Sequence, residues 1–279
     1  MSAEQGGRAG MGTGPDDGAV RSRLESSDGV VTLSGIHNFR DVAGPGYSLE
    51  QSGSMARGVV YRSAAVSASD GDVGVLERLG VSTIVDLRST GEVSMQPDVP
   101  VPGAKNVNID VLQGNSTAAT LMNSGIVTVD EARTEMARTY EQFVLGADER
   151  AAFGRAVGEV ATSSGASVVH CTAGKDRTGW ISAVLQLLAG VAEDDVVADY
   201  LLTREHNREL TDAILQYVQV KMPHQAEAIA VLLEVDESNI RRSLDALNSQ
   251  YGDVRRYLID GTGLEGDLVD ELGARLRSR

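Results

Sequence analysis

Val168-Val169-His170-Cys171-Thr172-Ala173-Gly174-Lys175-Asp176-Arg177-Thr178-Gly179-Trp180 is the stretch that decides how this chain folds. A β-branched pair gives way to a short loop built round a glycine, and the loop runs straight into residues that open a helix. That order gathers backbone N–H groups of the loop and of the helix's first turn about one point, where the helix dipole also favours negative charge. Five residues separate Cys171 from Arg177, a spacing that suits a curl around one tetrahedral oxyanion.

Each side chain in the curl has a physical task. Cys171, the only cysteine in the chain, faces a helix N-terminus, where positive potential favours the thiolate. A thiolate there can attack phosphorus in line and form a cysteinyl-phosphate intermediate. Arg177 has the planar fork that grips two equatorial oxygens. Backbone N–H groups of Thr172, Ala173, Gly174, Lys175, Asp176 and Arg177 complete the phosphate cradle. Thr178 can donate its hydroxyl to the sulfur, and His170 orients the loop rather than acting as a base. Gly174 and Gly179 permit the positive φ and close approach that a curl requires.

Outward from this loop, Ala166–Val169, Val59–Tyr61, Thr83–Leu87 and Asn106–Ile109 read as strands. Helical spacing is seen in 72–79, 129–145 and 147–162. After Cys171 it runs almost without a break through 177–188, 194–207, 210–220, 226–234, 238–250, 254–258 and 265–276. Strands alternating with helices, then helices alone, predict an α/β fold with a helical C-terminal extension. Residues 1–27 hold six glycines and no periodic apolar pattern; they read as a flexible tail preceding one domain over 28–279.

The 279 residues carry 25 Lys plus Arg against 40 Asp plus Glu, a formal net charge of −15. Such a chain repels nucleic-acid backbones over most of its surface, which excludes general nucleic-acid binding. An anionic ligand must then be drawn in by a small local positive site, and Lys175 is one of only three lysines. No apolar run is long enough for an integral membrane segment. The start lacks the basic-then-apolar order of a signal peptide, so a cytoplasmic location is expected, with non-classical secretion as the other route. The four histidines (His37, His170, His206, His224) show no ligand-like spacing with carboxylates, so neither a metal nor another cofactor is expected.

His-Cys-x5-Arg-Thr-Gly resembles the signature of the cysteine-dependent phosphatases of the protein-tyrosine and dual-specificity superfamily, and the fuller string is similar to one bacterial branch of it. Asn38–Gly44, Val60–Ser63, Asp86-Leu87-Arg88-Ser89-x2-Glu92 and Val197–Leu201 agree in the same order along the chain. The resemblance implies a phosphatase-like central sheet flanked by helices, and a phosphotyrosine-containing protein or peptide as substrate. It also implies a catalytic role for Asp176, which otherwise reads as a charge at a helix N-terminus. Asp110, after the strand 106–109, is the rival general acid on a separate loop. Lys175 within the loop implies wider acceptance, of phosphoserine/threonine or phosphoinositides. Arg40, Asp41, Asp86 and Arg88 are weaker candidates for the pocket floor, since adjacent Arg and Asp residues more often form structural ion pairs. The helical run 210–250 reads either as a lid over the site or as ordinary packing. Two other functions compete: a phosphate-binding module without turnover, and thiol-dependent arsenate reduction, for which the chain lacks a second thiol.

Overall fold

Alternation along the β-rich runs sets the layers of the molecule. The computed structural model describes residue 33 and residues 35–114 and 128–278; the tail expected over 1–27 lies outside the described residues. In chain order the elements are β1 (Arg40–Asp41), β2 (Ser54–Met55), β3 (Val60–Ser63), α1 (Asp70–Arg78), β4 (Val81–Asp86), α2 (Thr90–Met95), β5 (Lys105–Asn108), α3 (Val129–Leu145) and α4 (Ala147–Ala161). They continue as β6 (Ala166–His170), α5 (Asp176–Ala189), α6 (Glu193–His206), α7 (Arg208–Lys221), α8 (Ala226–Leu233), α9 (Glu237–Tyr251), α10 (Val254–Arg256), α11 (Gly266–Arg275) and β7 (Arg277–Ser278).

The main sheet has the order β1-β3-β6-β4-β5. β6 lies parallel to both β3 and β4, β5 is parallel to β4, and only β1 runs antiparallel. The strand that feeds the loop is therefore the central one, and all of its residues are buried. Successive residues point to opposite faces. Val60, Val85 and Val169 pack on one side with α3, α4 and α5. Tyr61, Ile84 and Val168 pack on the other, with Leu76 of α1. The central sheet flanked by helices is thus as expected, and so are the C-terminal helices.

Registers place function at one edge. Ser63 and Asp86 both sit opposite His170, so the three parallel strands end level, where open α/β sheets bind ligands. α3 is held at its start by a reciprocal cap between Thr128 and Glu131. It buries Met136, Thr139, Tyr140, Phe143 and Val144 along one stripe. α5 is buried on nearly every side, which fixes the start of the helix against the sheet. Its Trp180 packs edge-on against Tyr257 with ring centroids 5.8 Å apart. The indole Nε1 donates to the Tyr257 hydroxyl at 3.3 Å, which in turn donates to the Phe143 carbonyl at 3.2 Å. No helix among the described residues is long and apolar enough to cross a membrane.

α2 is an element absent from the sequence expectations. Its six residues carry too little apolar periodicity, but Ser89 and Glu92 form a reciprocal cap that starts it.

Because Trp180 is fully buried and ties α5 to Tyr257, which in turn reaches α3, Trp180→Ala is expected to lower unfolding free energy by roughly 3–5 kcal/mol. Trp180→Phe should cost less, roughly 2 kcal/mol, since it loses the indole hydrogen bond and leaves only a small void. Urea denaturation of the variants checks both values.

Candidate active site

The loop between β6 and α5 is shaped by where its carbonyls go. The Thr172 carbonyl accepts from Ala65 N–H at 3.1 Å. The Ala173 carbonyl accepts from Asn38 Nδ2 at 3.2 Å and Asn207 Nδ2 at 2.8 Å. The Gly174 carbonyl accepts from Asn38 Nδ2 at 2.9 Å and Arg62 Nη2 at 3.0 Å. Three consecutive carbonyls are therefore tied to the scaffold, while the N–H groups of residues 172–177 make no hydrogen bond among the described residues. Carbonyls anchored and amides free, at the start of a helix, make an anion-binding concavity. Gly174 turns the chain with φ +65°, and a Cβ there would stand 2.4 Å from the Ser63 carbonyl oxygen.

A buried ionic layer lies beneath the loop. Arg62 Nη1 is 2.8 Å from Asp199 Oδ2, and Arg40 Nε is 3.3 Å from Oδ1 of the same carboxylate. Tyr47 donates its hydroxyl to Oδ1 at 3.2 Å. Burial, then the neighbouring Arg40, pulls the Arg62 guanidinium down to about 10 despite Asp199. Burial pushes the Asp199 carboxyl up, but Arg40 and Arg62 outweigh it and hold the group below the usual range. Two guanidiniums on one carboxylate leave positive potential under the loop, partly desolvated and so poorly screened.

Arg177 is held from the other side. Its Nη1 and Nη2 donate to Glu92 Oε2 and Oε1, each at 2.8 Å, and Nη1 also reaches the Leu87 carbonyl at 3.2 Å. Thr172 donates its hydroxyl to Glu92 Oε1. Oε2 also accepts the Ser89 N–H at 2.9 Å, so the carboxylate that caps α2 is the one that clamps the arginine. Burial raises the Glu92 carboxyl, but Arg177, Thr172 and the Ser89 N–H more than reverse this and hold it well below the usual carboxylate range.

Around the loop, Cys171 is 2 % exposed and opens on a cavity of ≈ 210 Å³. Thr172, Ala173, Lys175, Asp176 and Arg177 share its polar floor, and Met136, Phe143, Ile214, Leu232 and others form apolar walls. Residues of α7 and α8 thus line the site. Lys175 turns its ammonium to the carbonyls of Leu232 at 2.6 Å and Glu234 at 3.0 Å, at the end of α8. Asp176 Oδ1 accepts from the Tyr140 hydroxyl at 2.7 Å and lies 3.5 Å from Lys175 Nζ. Thr178 Oγ1 is buried without a hydrogen-bond partner among the described residues.

The remaining sequence candidates lie apart from the cavity lining. Asp110 folds back on its own loop, accepting from the N–H groups of Leu112 at 3.0 Å and Gly114 at 2.8 Å. Asp41 likewise accepts from Ala43 and Gly58 N–H groups, and burial pushes its carboxyl up to about 6. Arg88 binds both oxygens of Asp86 at 2.9 Å and Asp98 at 2.9 Å. Asp98 Oδ2 is in turn 3.1 Å from His170 Nε2, while His170 Nδ1 lies 3.2 Å from the Cys171 carbonyl. Asp86, Asp98 and His170 stand close enough to hold an ion, but Arg88 already spans their two carboxylates. Sequence reasoning passed over Asn38, Glu92, Asp98, Asp199 and Asn207 as individual contributors; the Ser89-x-x-Glu92 capping pattern was the available signal for one of them.

The tyrosine phosphatase family profile matches residues 31–278. A Cupriavidus necator protein that carries the name of a tyrosine-protein phosphatase is 33 % identical over 249 residues, 85 % of each chain. The triple specificity protein phosphatase PtpB of Mycobacterium tuberculosis is 28 % identical over 257 residues, 84 % of this chain and 90 % of that one. A tyrosine-protein phosphatase of Nostoc commune is 26 % identical over 215 residues, 69 % of each chain.

Glu92→Gln is expected to destabilise the fold at neutral pH by roughly 3 kcal/mol, since it leaves a buried guanidinium short of its counter-charge. The sign with pH follows from a depressed carboxyl. Its contribution is present above the unfolded value of about 4.3 and is lost as pH falls below it. Melting temperatures of wild type and Glu92→Gln should therefore converge between about pH 4.3 and pH 2. A gap that stays constant over that range would contradict the clamp.

Proposed function

The chain belongs to the tyrosine phosphatase family, and from that premise we propose a two-step hydrolysis of phosphomonoesters in which Cys171, Arg177 and Asp176 carry the chemistry. The observation that supports it most is the juxtaposition of Cys171, the Arg177 fork and the Asp176 carboxyl on one cavity floor, beside loop amides that have no acceptor among the described residues.

In the first step the Cys171 sulfur attacks phosphorus while the bond to the leaving oxygen breaks. Loop N–H groups and Arg177 hold the equatorial oxygens as their charge redistributes. Asp176 gives its proton to the leaving oxygen, because it lies in the cavity lining and Asp110 does not. In the second step water attacks the cysteinyl phosphate, Asp176 takes a proton from it, and the thiolate leaves. Thr178, whose hydroxyl has no partner among the described residues, donates to the departing sulfur. His170 is a positioning residue, set below the loop with Nδ1 at the Cys171 carbonyl and Nε2 3.1 Å from Asp98.

Phosphotyrosine is the leading substrate. Apolar walls of Met136, Phe143, Ile214 and Leu232 suit an aryl ring standing above the cradle. Acceptance of phosphoserine/threonine and phosphoinositides is the wider proposal; a relative in M. tuberculosis is named for triple specificity, and Lys175 adds a cation to the loop. Since α7 and α8 wall the cavity, a bulky headgroup requires these helices to move, in the manner of a lid.

Hydrolysis of 4-nitrophenyl phosphate and of a phosphotyrosine peptide in excess chelator is expected to persist, and to vanish with Cys171→Ser. Asp176→Asn should lower kcat about 100-fold with little change in KM. A folded wild-type protein that binds vanadate but turns over neither substrate would replace this reading with a phosphate-binding module.

A further inference from the structure

The carboxyl assigned as the acid is not free to turn. Tyr140 is fully buried, and its hydroxyl lies 2.7 Å from Asp176 Oδ1 and 2.7 Å from the Tyr200 hydroxyl. Oδ1 can only accept from Tyr140 if the carboxyl is ionised or carries its proton elsewhere. The Tyr140 hydrogen then points at Asp176, and the Tyr140 oxygen is left to accept from Tyr200. Asp176 Oδ2 makes no hydrogen bond among the described residues, although the residue lines the cavity. The two oxygens of one carboxyl are therefore chemically distinct.

The phenol is itself immobilised. Its ring meets Phe143 with centroids 5.2 Å apart and Tyr200 edge-on at 6.3 Å. Ser243 of α9 donates to the Tyr140 carbonyl at 2.7 Å. Three helices converge on the acid: α3 through Tyr140, α6 through Tyr200 and α5 through Asp176 itself. Burial, and then Asp176 and Tyr200, raises the Tyr140 phenol well above its ordinary value, so it stays a donor throughout neutral pH.

We infer that Tyr140, backed by Tyr200, is a positioning residue for proton transfer. It fixes Asp176 Oδ1 as an acceptor, so that the transferable proton resides on Oδ2, the oxygen presented to the leaving group. The proposal rests on the reading of Asp176 as the general acid. No new bond is made by either tyrosine: the proton passes from Oδ2 to the leaving oxygen, and the resulting carboxylate keeps the Tyr140 hydrogen bond. The hydrogen bond strengthens as charge develops on the carboxylate, which is a gain made in the transition state.

The test uses two aryl phosphates with the intact protein: phenyl phosphate, whose leaving phenolate needs a proton, and 6,8-difluoro-4-methylumbelliferyl phosphate, whose leaving group does not. Phosphorylation of sulfur is isolated by measuring kcat/KM. Tyr140→Phe keeps the ring, and a thermal melt confirms the fold. It is expected to lower kcat/KM for phenyl phosphate about tenfold, the scale of one hydrogen bond to a charged group, and to leave the fluorinated substrate nearly unchanged. In an Asp176→Asn background, Tyr140→Phe should add no further loss on either substrate. Equal loss on both substrates, no loss on either, or additive losses in the double variant would overturn the positioning role. Asp176→Asn measured alone separates the two claims. If it slows both substrates alike, the acid assignment fails and the inference falls with it. If it is selective while Tyr140→Phe is not, only the inference falls. Should Tyr140→Phe fail to fold, Tyr200→Phe takes its place, with the same selectivity expected at smaller amplitude and its absence counting against the proposal.

Discussion

Everything at this site depends on the loop carbonyls of Thr172, Ala173 and Gly174 being held away from the cavity. A loop with its carbonyls turned inward would present negative dipoles to an anion. Here Ala65, Asn38, Asn207 and Arg62 supply buried donors to those oxygens. Each such bond is worth only about 1 kcal/mol net, but leaving a buried carbonyl unpaired would cost more, so the conformation with amides inward is strongly selected. The sheet order explains how the donors arrive. β3 lies directly beside β6, which brings Arg62 under the curl; β1 on the far side of β3 brings Asn38 and Arg40.

The same arrangement reconciles an acidic protein with an anionic ligand. The net charge of −15 is spread over exposed side chains that physiological salt screens beyond about 8 Å. Arg40, Arg62, Arg177 and Lys175 are buried, so their field reaches the cavity with less attenuation. The fixed partners Asp199 and Glu92 remove part of that charge. In exchange they set geometry: Asp199 bridges the two arginines beneath the loop, and Glu92 meets the two terminal nitrogens of the Arg177 guanidinium. Whether such ion pairs add net stability matters less here than that they define one arrangement.

Much of this was legible in the sequence because the chemistry is local. The strand, loop and helix from Ala166 to Ala189 follow one another directly, and the glycine at 174 sits where the backbone has φ +65°. The β-branched runs gave the parallel strands within a few residues. What escaped was carried by contacts between distant segments. Asn38 reaches Gly174 across 136 positions, and Glu92 reaches Arg177 across 85; neither has a local pattern that announces its target. Adjacent charges also misled. Asp86 and Arg88 do pair, whereas Arg40 passes over Asp41 to bind Asp199, and Asp41 instead caps backbone N–H groups. Lys175, prominent in sequence as a cation in the cradle, spends its donors on the end of α8, a segment whose approach no periodicity reveals.

The central claim is that the Cys171 sulfur becomes covalently phosphorylated during turnover. Rapid acid quench of the protein with a phosphotyrosine peptide, followed by intact-mass and peptide-mass analysis, tests it most directly. The account predicts a transient adduct of one phosphoryl group on the peptide containing Cys171, absent from Cys171→Ser and longer-lived in Asp176→Asn. Steady turnover with no adduct at Cys171 at any quench time, in wild type and Asp176→Asn alike, would contradict it.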